Sequence, residues 1–404
     1  MMRKKTKTTL LVLCTSLCIT GAAEAQSVFG LNFVGEHRLR GNARVHSLGF
    51  SALAVHDSTS AITQNTAALG DLTKVTFSIY EVLGLSRIKH EDEVVGQNRF
   101  QLPTVMLAIP FGGRFVGGIG YRTRFEGKSD FAFDRDFDEA IRSYEIYKHR
   151  SSLFTAPVVL AWKMRPWVQV AAELQIERGS VRDDVIVDFE PIEYASIVSK
   201  RNRSYSSTSW GVSMLLRPHS RLSLGLQLDG AVEYDVDDAR YYSYEELDSH
   251  IDGNFTLPAA YGVGMSARIT DRLWLTSTYW RREAPEPEGF EQLEGSLVDE
   301  WLLGFGFERR AAEEGGFFSR IPLRLGYYEN VWHLEFPQGS PVKSRFVTFG
   351  TGFPLPGGPG TIDVSCEVGQ IGSVDDNGIE EQVLRIGFGL NVSEAWSRRK
   401  KGRR

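Results

Sequence analysis

The stretch that decides the fold runs from Phe346 to Trp396 and reads FVTFGTGFPLPGGPGTIDVSCEVGQIGSVDDNGIEEQVLRIGFGLNVSEAW. Two runs within it, 360–370 and 380–394, alternate apolar with polar residues. Side chains on a strand point to opposite faces with a period of two, so each run predicts a strand with one apolar face. Asn377-Gly378 between them is a strong turn signal. Two-faced antiparallel strands occur in soluble sandwiches and in membrane barrels, and the rest of the chain decides between these.

The same alternation recurs from Thr73 onward and predicts about fourteen strands of roughly 10–15 residues. They are 73–83, 98–110, 114–126, 149–163, 167–178, 203–217, 221–235, 251–269, 272–283, 296–310, 320–331, 342–355, 360–370 and 380–394. The connections alternate between tight turns, such as Arg165-Pro166, and long polar segments at 127–148, 179–202, 236–250, 284–295 and 332–341. Short turns on one rim and long loops on the other are typical of an outer-membrane β-barrel. We therefore predict an all-β, antiparallel transmembrane barrel with its apolar faces toward lipid.

The polar faces of the predicted strands carry charges and glycines that would point into the barrel. The inward charges are Glu173, Glu177, Glu308, Arg324, Asp363, Glu367 and Arg385, and the inward glycines include Gly225, Gly304, Gly306, Gly387 and Gly389. The charges are interpreted either as a ladder of ion pairs or as groups that orient the carboxylate of a ligand, with Arg324 and Arg385 as the candidate cations. Glycine permits the close approach of another segment. In the last hairpin we predict a Glu367–Arg385 ion pair, with Asp363 as the diagonal alternative.

Tryptophans lie near the ends of several predicted strands, where an interfacial belt would be. Trp162, Trp167, Trp301 and Trp332 have such positions, whereas the parity of Trp274 points it inward. Packing in the core is the alternative interpretation for each of them.

Both ends of the chain differ in composition from its body. Basic residues, the apolar run Leu10–Ile19 and Ala23-Glu24-Ala25 predict a cleaved signal peptide over 1–25. The formal charge is −5; removal of four basic residues and one glutamate leaves about −8 for the mature chain. The tail 397–404 holds six basic residues. The remaining body is strongly acidic, which disfavours nucleic acid as a partner.

The features at the C-terminal end also occur in an order known from one family of barrels. A Phe353-Pro354-Leu355 turn, the Ile362-Asp363-Val364 strand and an Arg385-bearing strand that ends in Trp396 resemble the end of long-chain fatty-acid transporters of the FadL/TodX type. The resemblance implies an N-terminal hatch, here 26–72, that plugs a barrel, here 73–396. The Asn-Pro-Ala motif of that hatch corresponds to Asn65, Thr66 and Ala67, so threonine replaces the proline.

The resemblance further implies a monomer in the outer membrane, surrounded by outer-membrane lipids, that takes up hydrophobic small molecules such as long-chain fatty acids passively. The candidate capture residues are aromatics of the 127–148 loop, namely Phe131, Phe133, Phe137, Tyr144 and Tyr147; packing of the loop onto the rim is the alternative. A secretion-associated barrel of the PorV-like type, which binds protein partners, belongs to the same broad superfamily. That function and a barrel without any transport role both stay open.

The sequence contains no pattern that predicts catalysis, a metal site or a cofactor. Neither an HExxH pattern nor paired cysteines occur. Asp375-Asp376-Asn377-Gly378 faintly resembles a calcium loop, but Leu384 occupies the position where such a loop requires a carboxylate. We therefore expect a protein that is not an enzyme.

Overall fold

The computed structural model describes residues 27–31, 34–90, 93–138, 141–190, 195–243, 245–247, 253–287, 297–312, 314–336 and 340–394. The predicted signal peptide at 1–25 and the predicted basic tail at 397–404 lie outside these residues, as does Trp396. Among the helices that the structure describes, none is both long enough and apolar enough to cross a membrane.

The described residues form one antiparallel sheet of fourteen strands that closes on itself. The strands are β1 (Val75–His90), β2 (Glu93–Phe111), β3 (Phe115–Asp138), β4 (Ile141–Arg165), β5 (Val168–Glu190), β6 (Ile197–His219), β7 (Leu222–Asp229 and Val232–Tyr242), β8 (Gly253–Leu257 and Ala260–Arg268), β9 (Leu273–Arg282 and Glu286–Pro287), β10 (Glu300–Arg309), β11 (Leu323–Phe336), β12 (Ser340–Pro354), β13 (Gly360–Ser373) and β14 (Ile379–Glu394). The short strand Glu245–Leu247 lies in the connection between β7 and β8 and pairs with the end of β7. Pairing of β14 with β1 along their whole length closes the barrel. The predicted fold class is confirmed.

The two faces of the wall differ as the sequence predicts. On β7, Leu226 and Leu228 are exposed on the outside, whereas Ser223 and Gln227 point inward and are buried. Exposed leucine, valine, phenylalanine and tryptophan side chains continue around the outer face, for example Leu160, Trp210 and Phe305. A soluble monomer does not expose an apolar band of this extent. Together with the closed barrel, the band places the chain in the outer membrane.

The strands on one side of the barrel are longer than the sequence predicts. The segment 127–148, predicted to be a loop, belongs to β3 and β4 in its described part; 139–140 lie outside the described residues. Likewise β5 and β6 take up most of 179–202, and β7 extends into 236–250. A membrane crossing needs only about 9–11 residues. The paired strands β3 to β7 therefore rise well beyond the bilayer as a tall wall.

The connection between β10 and β11 runs from 310 to 322 and contains the short helix Phe317–Arg320. One further expectation is wrong in detail. Trp332 does not lie in an interfacial belt, because its side chain points inward and is buried against Phe29, with ring centroids 6.3 Å apart. Trp162 and Trp167 are exposed beside the β4–β5 turn, as a belt requires.

The chain before β1 lies inside the barrel; we call its described part, 27–31 and 34–72, the N-terminal segment. Its short strand Glu36–His37 pairs with Glu126 and Phe125 of β3. The helix Ala43–Ser47 contacts β11 to β14, and the 3₁₀ helix Thr66–Asp71 contacts β3 to β6. The segment therefore reaches across the lumen from one side of the wall to the other.

Candidate functional site: the charged interior

Glycines on the inner face let the N-terminal segment approach the wall backbone to backbone. A Cβ on Gly225 would lie 2.1 Å from the carbonyl oxygen of Leu53, and one on Gly304 would lie 2.2 Å from that of Gly49. Real Cβ atoms do not come this close to a carbonyl oxygen. Gly306 and Gly389 also face the segment, whereas Gly387 faces Tyr80 and Ser365 of the wall. The space that these glycines leave is thus largely occupied by the segment.

A first ionic network joins Arg44 of the segment to β10, β11 and β13. Arg44 donates to both carboxylate oxygens of Glu308, at 3.0 and 2.7 Å. Arg324 lies 3.0 Å from Glu308 and 2.8 Å from Asp363. Burial alone would lower the pKa of Arg44, but Glu308 and Asp57 raise it above its ordinary value. Arg324 is therefore paired twice with protein carboxylates.

A second network ties the segment to the last hairpin. Glu367 and Arg385 are directly opposed on β13 and β14, with Nη1 and Oε2 3.7 Å apart, so the predicted pair is confirmed. Each also binds the segment: Arg385 lies 2.9 Å from Glu36, and Glu367 accepts from Nδ1 of His46. Burial alone would raise the pKa of Glu36, but Arg38, Arg385 and Arg99 outweigh it and lower the pKa.

A third network lies on the opposite side of the lumen. Arg40 of the segment lies 3.1 Å from Glu173 of β5 and 3.5 Å from Asp229 of β7. Arg122 of β3 also contacts Glu173, at 3.4 Å. All five candidate lumen residues, Glu173, Arg324, Asp363, Glu367 and Arg385, therefore belong to ion pairs. Three of them, Glu173, Glu367 and Arg385, bind the N-terminal segment directly. Arg324 and Asp363 are linked to it through Glu308, which Arg44 binds.

Near the periplasmic end of the barrel, Asp71 is surrounded by donors. Nδ1 of His56 lies 2.6 Å from it, Arg217 of β6 lies 2.8 Å away, and Gln169 of β5 donates at 2.6 Å. Burial alone would raise the pKa of Asp71, but the hydrogen bond and charge of His56 and the charge of Arg217 hold it below its usual range. Burial lowers the pKa of His56, against the opposing effect of Asp71.

The Asn65-Thr66-Ala67 motif anchors the segment to β6. The Asn65 side chain accepts from the Ala67 amide at 2.9 Å, which caps the 3₁₀ helix. Its amide group donates to the carbonyl oxygens of Leu53 and Met214, at 2.9 and 3.0 Å. The hydroxyl of Thr66 contacts that of Ser213 at 2.9 Å. The threonine that replaces the proline of the family motif thus supplies a contact that proline lacks.

Two small cavities flank the stretch Glu36–Arg40 within the described part of the interior. The larger one measures about 60 Å³. Its lining includes Arg122, Arg124 and Arg282 together with apolar groups, Leu39, Phe50, Leu53, Trp280 and Leu302. The second one measures about 40 Å³ and reaches Arg385. Each holds at most a few water molecules. A larger molecule enters only if the segment moves.

The candidate capture aromatics lie on strands of the tall wall rather than in a loop. Phe133 and Tyr147 stack with ring centroids 5.5 Å apart, and Tyr144 is exposed on the other face of the hairpin. Phe131 and Phe137 occupy strand positions on β3. No group of His, Cys, Asp and Glu side chains among the described residues has an arrangement that would hold a metal ion.

The sequence did not predict which charged residues of the N-terminal segment pair with the charges of the wall. Glu36, Arg40, Arg44 and His46 supply the partners of the wall charges, yet they lie in a stretch without strand periodicity. The available signal was the basic run from His37 to His46, whose sequence HRLRGNARVH contains three arginines. These cations match the carboxylates predicted to point inward from β5, β10 and β13.

The fold and the interior define the class: an outer-membrane β-barrel of the FadL/TodX fold. Similar solved structures include a Pseudomonas aeruginosa FadL homologue (TM-score 0.61, 13% identity, 89% of this chain and 99% of that one) and the Pseudomonas putida toluene transporter TodX (0.57, 12%, 89% and 99%). The Ralstonia pickettii toluene transporter TbuX is also similar (0.56, 12%, 88% and 99%).

A sequence model of the BamG family matches residues 191–402, more than half of the 404 residues, so the chain belongs to the BamG family. No functionally curated protein matches the chain in sequence.

Proposed function

We propose that this barrel is an outer-membrane channel for the passive uptake of hydrophobic small molecules. The observation that carries the proposal is the shared architecture: the chain aligns over almost the whole length of two proteins described as toluene transporters. The tall wall supports it, because Phe133, Tyr144 and Tyr147 form aromatic surface beyond the bilayer. Such a surface is where an apolar solute would first bind.

The solute class that we propose is a long-chain fatty acid. The lining of the larger interior cavity combines several arginines with apolar side chains, and these groups match a carboxylate and a hydrocarbon chain. Its volume of about 60 Å³ is far below the roughly 300–1,000 Å³ of ordinary ligand sites. Uptake therefore requires displacement of the N-terminal segment, which acts as a hatch over the predicted 26–72. Arg385, which binds Glu36 of the segment, becomes more available to a carboxylate in that displaced state, whereas Arg324 keeps Glu308 and Asp363 of the wall as partners.

A disulfide lock tests whether the segment has to move. Ser51 and Thr276 have hydroxyl oxygens 2.5 Å apart, so Ser51→Cys with Thr276→Cys, in a Cys366→Ser background, joins the segment to β9. We expect oxidation to abolish fatty-acid uptake into proteoliposomes and reduction to restore it. Thr76→Cys with Ser393→Cys, at 3.0 Å, is the matched control, since it joins β1 to β14 and leaves the segment free.

Undiminished uptake by the oxidised Ser51–Thr276 lock would show that the route does not pass the segment. Absence of uptake in the reduced protein, for fatty acids and toluene alike, would contradict the channel itself. That second result would favour a barrel that acts through protein partners, as in PorV-like secretion-associated proteins. The observation in favour of this second candidate is the interior itself, whose ionic networks bind the segment to the wall on several sides.

A further inference from the structure

A groove of about 810 Å³ crosses the outer face of the barrel over β1, β2 and β11 to β14. It is separate from the interior site. Barrel walls are convex, so a concavity of this size on the lipid-facing side is a distinct feature. Its volume lies in the range of about 300–1,000 Å³ that small-molecule sites occupy.

Strand register divides the groove into two levels. One row of directly opposed residues is apolar over five strands: Tyr327, Val347, Val368, Leu384 and Leu85. The next row toward the extracellular side is polar: Glu329, Arg345, Gln370, Gln382 and Arg87. The change from one row to the next marks the outer boundary of the hydrocarbon layer. The groove therefore spans the level where lipid chains meet lipid headgroups.

The charges of the groove have one sign. Its described lining contains two arginines, Arg87 and Arg345, together with the outward-facing amides of Asn98, Gln370 and Gln382, and no carboxylate. Arg345 is an exposed side chain that lies 3.3 Å from Glu329 at the rim. Within the described part of the chain, Arg87 makes neither an ion pair nor a side-chain hydrogen bond, and it is exposed. Glu380, just above the groove, accepts from Gln370 and Gln382.

We propose that this groove binds a phosphate-bearing lipid of the outer leaflet. The acyl chain lies along Val347, Val368, Leu384 and Leu85. Arg87 and Arg345 bind phosphate oxygens, since the guanidinium group matches phosphate geometry and forms charge-assisted hydrogen bonds. The two arginines are three strand spacings apart, about 14 Å.

Native mass spectrometry of the full-length barrel tests the site. The folded protein is offered lipid A, phosphatidylglycerol and the uncharged diacylglycerol in separate experiments. We expect retention of a phosphate lipid and weaker retention of diacylglycerol. Loss of two charge-assisted hydrogen bonds in Arg87→Gln with Arg345→Gln should lower the bound fraction about tenfold or more. Lipid A retained over phosphatidylglycerol identifies the glycolipid as the source, and the reverse identifies phospholipid.

A second variant blocks the apolar floor while leaving the arginines in place. Val368→Trp fills the groove at a lipid-exposed position and should also reduce retention. The matched controls are Arg150→Gln and Val158→Trp, exposed residues of β4 outside the groove. Heat-modified gel mobility confirms that every variant is folded.

Equal retention by both groove variants and the wild type would overturn the proposal, as would equal losses in the controls or equal binding of diacylglycerol. A photo-crosslinking residue at 368 distinguishes lipid from protein in intact cells. Crosslinks to a protein in place of lipid would also overturn it.

Discussion

Glu308 lies between three arginines although its side chain is almost fully buried. Arg44 and Arg324 bind it closely, and Arg310 lies 3.5 Å away. We expect Glu308→Gln to lower the free energy of unfolding by roughly 3–5 kcal/mol, because it leaves buried cations without a counter-charge. The measurement is a urea titration of the protein refolded in bilayers.

The matched control is Glu329→Gln on the neighbouring strand, which removes the partner of the exposed Arg345. Exposed pairs contribute about 0–1 kcal/mol, so this variant should unfold almost like the wild type. Equal losses in the two variants would mean that the Glu308 network is open to water and does not hold the segment in place.

Gly304 allows a second test of the close contact between segment and wall. Gly304→Ala places a methyl group against the carbonyl oxygen of Gly49, so either the segment or the strand must shift. Overpacking of this kind costs about 1–3 kcal/mol. We expect faster cleavage of the N-terminal segment by an added protease. Gly96→Ala, where nothing lies within 4 Å of the new methyl group, should not change the cleavage rate.

The alternation of inward and outward positions along each strand predicted which charged residues point into the barrel. This prediction is correct for Glu173, Glu308, Arg324, Asp363, Glu367 and Arg385. Their partners were not predictable in the same way. The contact of Glu367 with His46 spans 321 positions in sequence, and no period of two connects a strand with a segment that has no regular structure. The Glu367–Arg385 pair was predictable because one short hairpin fixes both residues.

The N-terminal segment, taken as one element, should bind the wall less firmly in acid. Burial lowers the pKa of His56, so the unfolded chain takes up that proton first as the pH falls through 6.5. The pKa of Asp71 is lowered by His56 and Arg217, so acidification again favours the unfolded chain, below the ordinary value of 3.8. Both shifts have the same sign: the stabilisation is complete at neutral pH and is lost as the pH falls.

One proton taken up on unfolding changes the stability by up to about 1.4 kcal/mol per pH unit. Unfolding measured between about pH 7.5 and pH 5.5 excludes Asp71, which remains ionised over that range. Burial lowers the pKa of His37 as well, so a variant of His56 is needed to separate the two histidines. We expect His56→Gln to reduce the slope of unfolding free energy against pH. His219→Gln, at the exposed end of β6, is the matched control. If the His56→Gln protein kept the full wild-type slope of unfolding free energy against pH, groups other than His56 would cause the pH dependence.

The strands were predictable within the bilayer and not beyond it. Inside the membrane, lipid on one side and packed polar groups on the other impose strict alternation, and all fourteen strands were found from it. Beyond the membrane one face of β3 and β4 meets water, and the other packs polar and charged side chains such as Glu145 and His149. The sequence from Gly127 to His149 therefore carries charges on both faces and resembles a loop. Backbone pairing continues nonetheless, for example Asp130 opposite Lys148.

The whole molecule has a fixed orientation, because an even number of strands puts both ends of the barrel on one side of the membrane. The tall β3–β4 hairpin lies at the opposite rim from the β2–β3 turn at Gly112-Gly113 and the β12–β13 turn at Gly357-Gly358. Long extensions face the extracellular side and short turns the periplasm. The tall wall should therefore be accessible from outside the cell.

A site-specific protease added to intact cells tests this orientation. A recognition sequence inserted after Asp138, at the tip of the tall wall, should be cut in intact cells. The same sequence inserted between Gly357 and Gly358 should be cut only after the outer membrane is permeabilised. The turn at 357–358 is an exposed connection between paired strands, and such connections tolerate insertion. Cleavage at 357–358 in intact cells, with protection at 138, would show that the barrel has the opposite orientation in the membrane. That orientation would also move the lipid groove to the periplasmic leaflet, where lipid A is absent and phospholipid alone could occupy it.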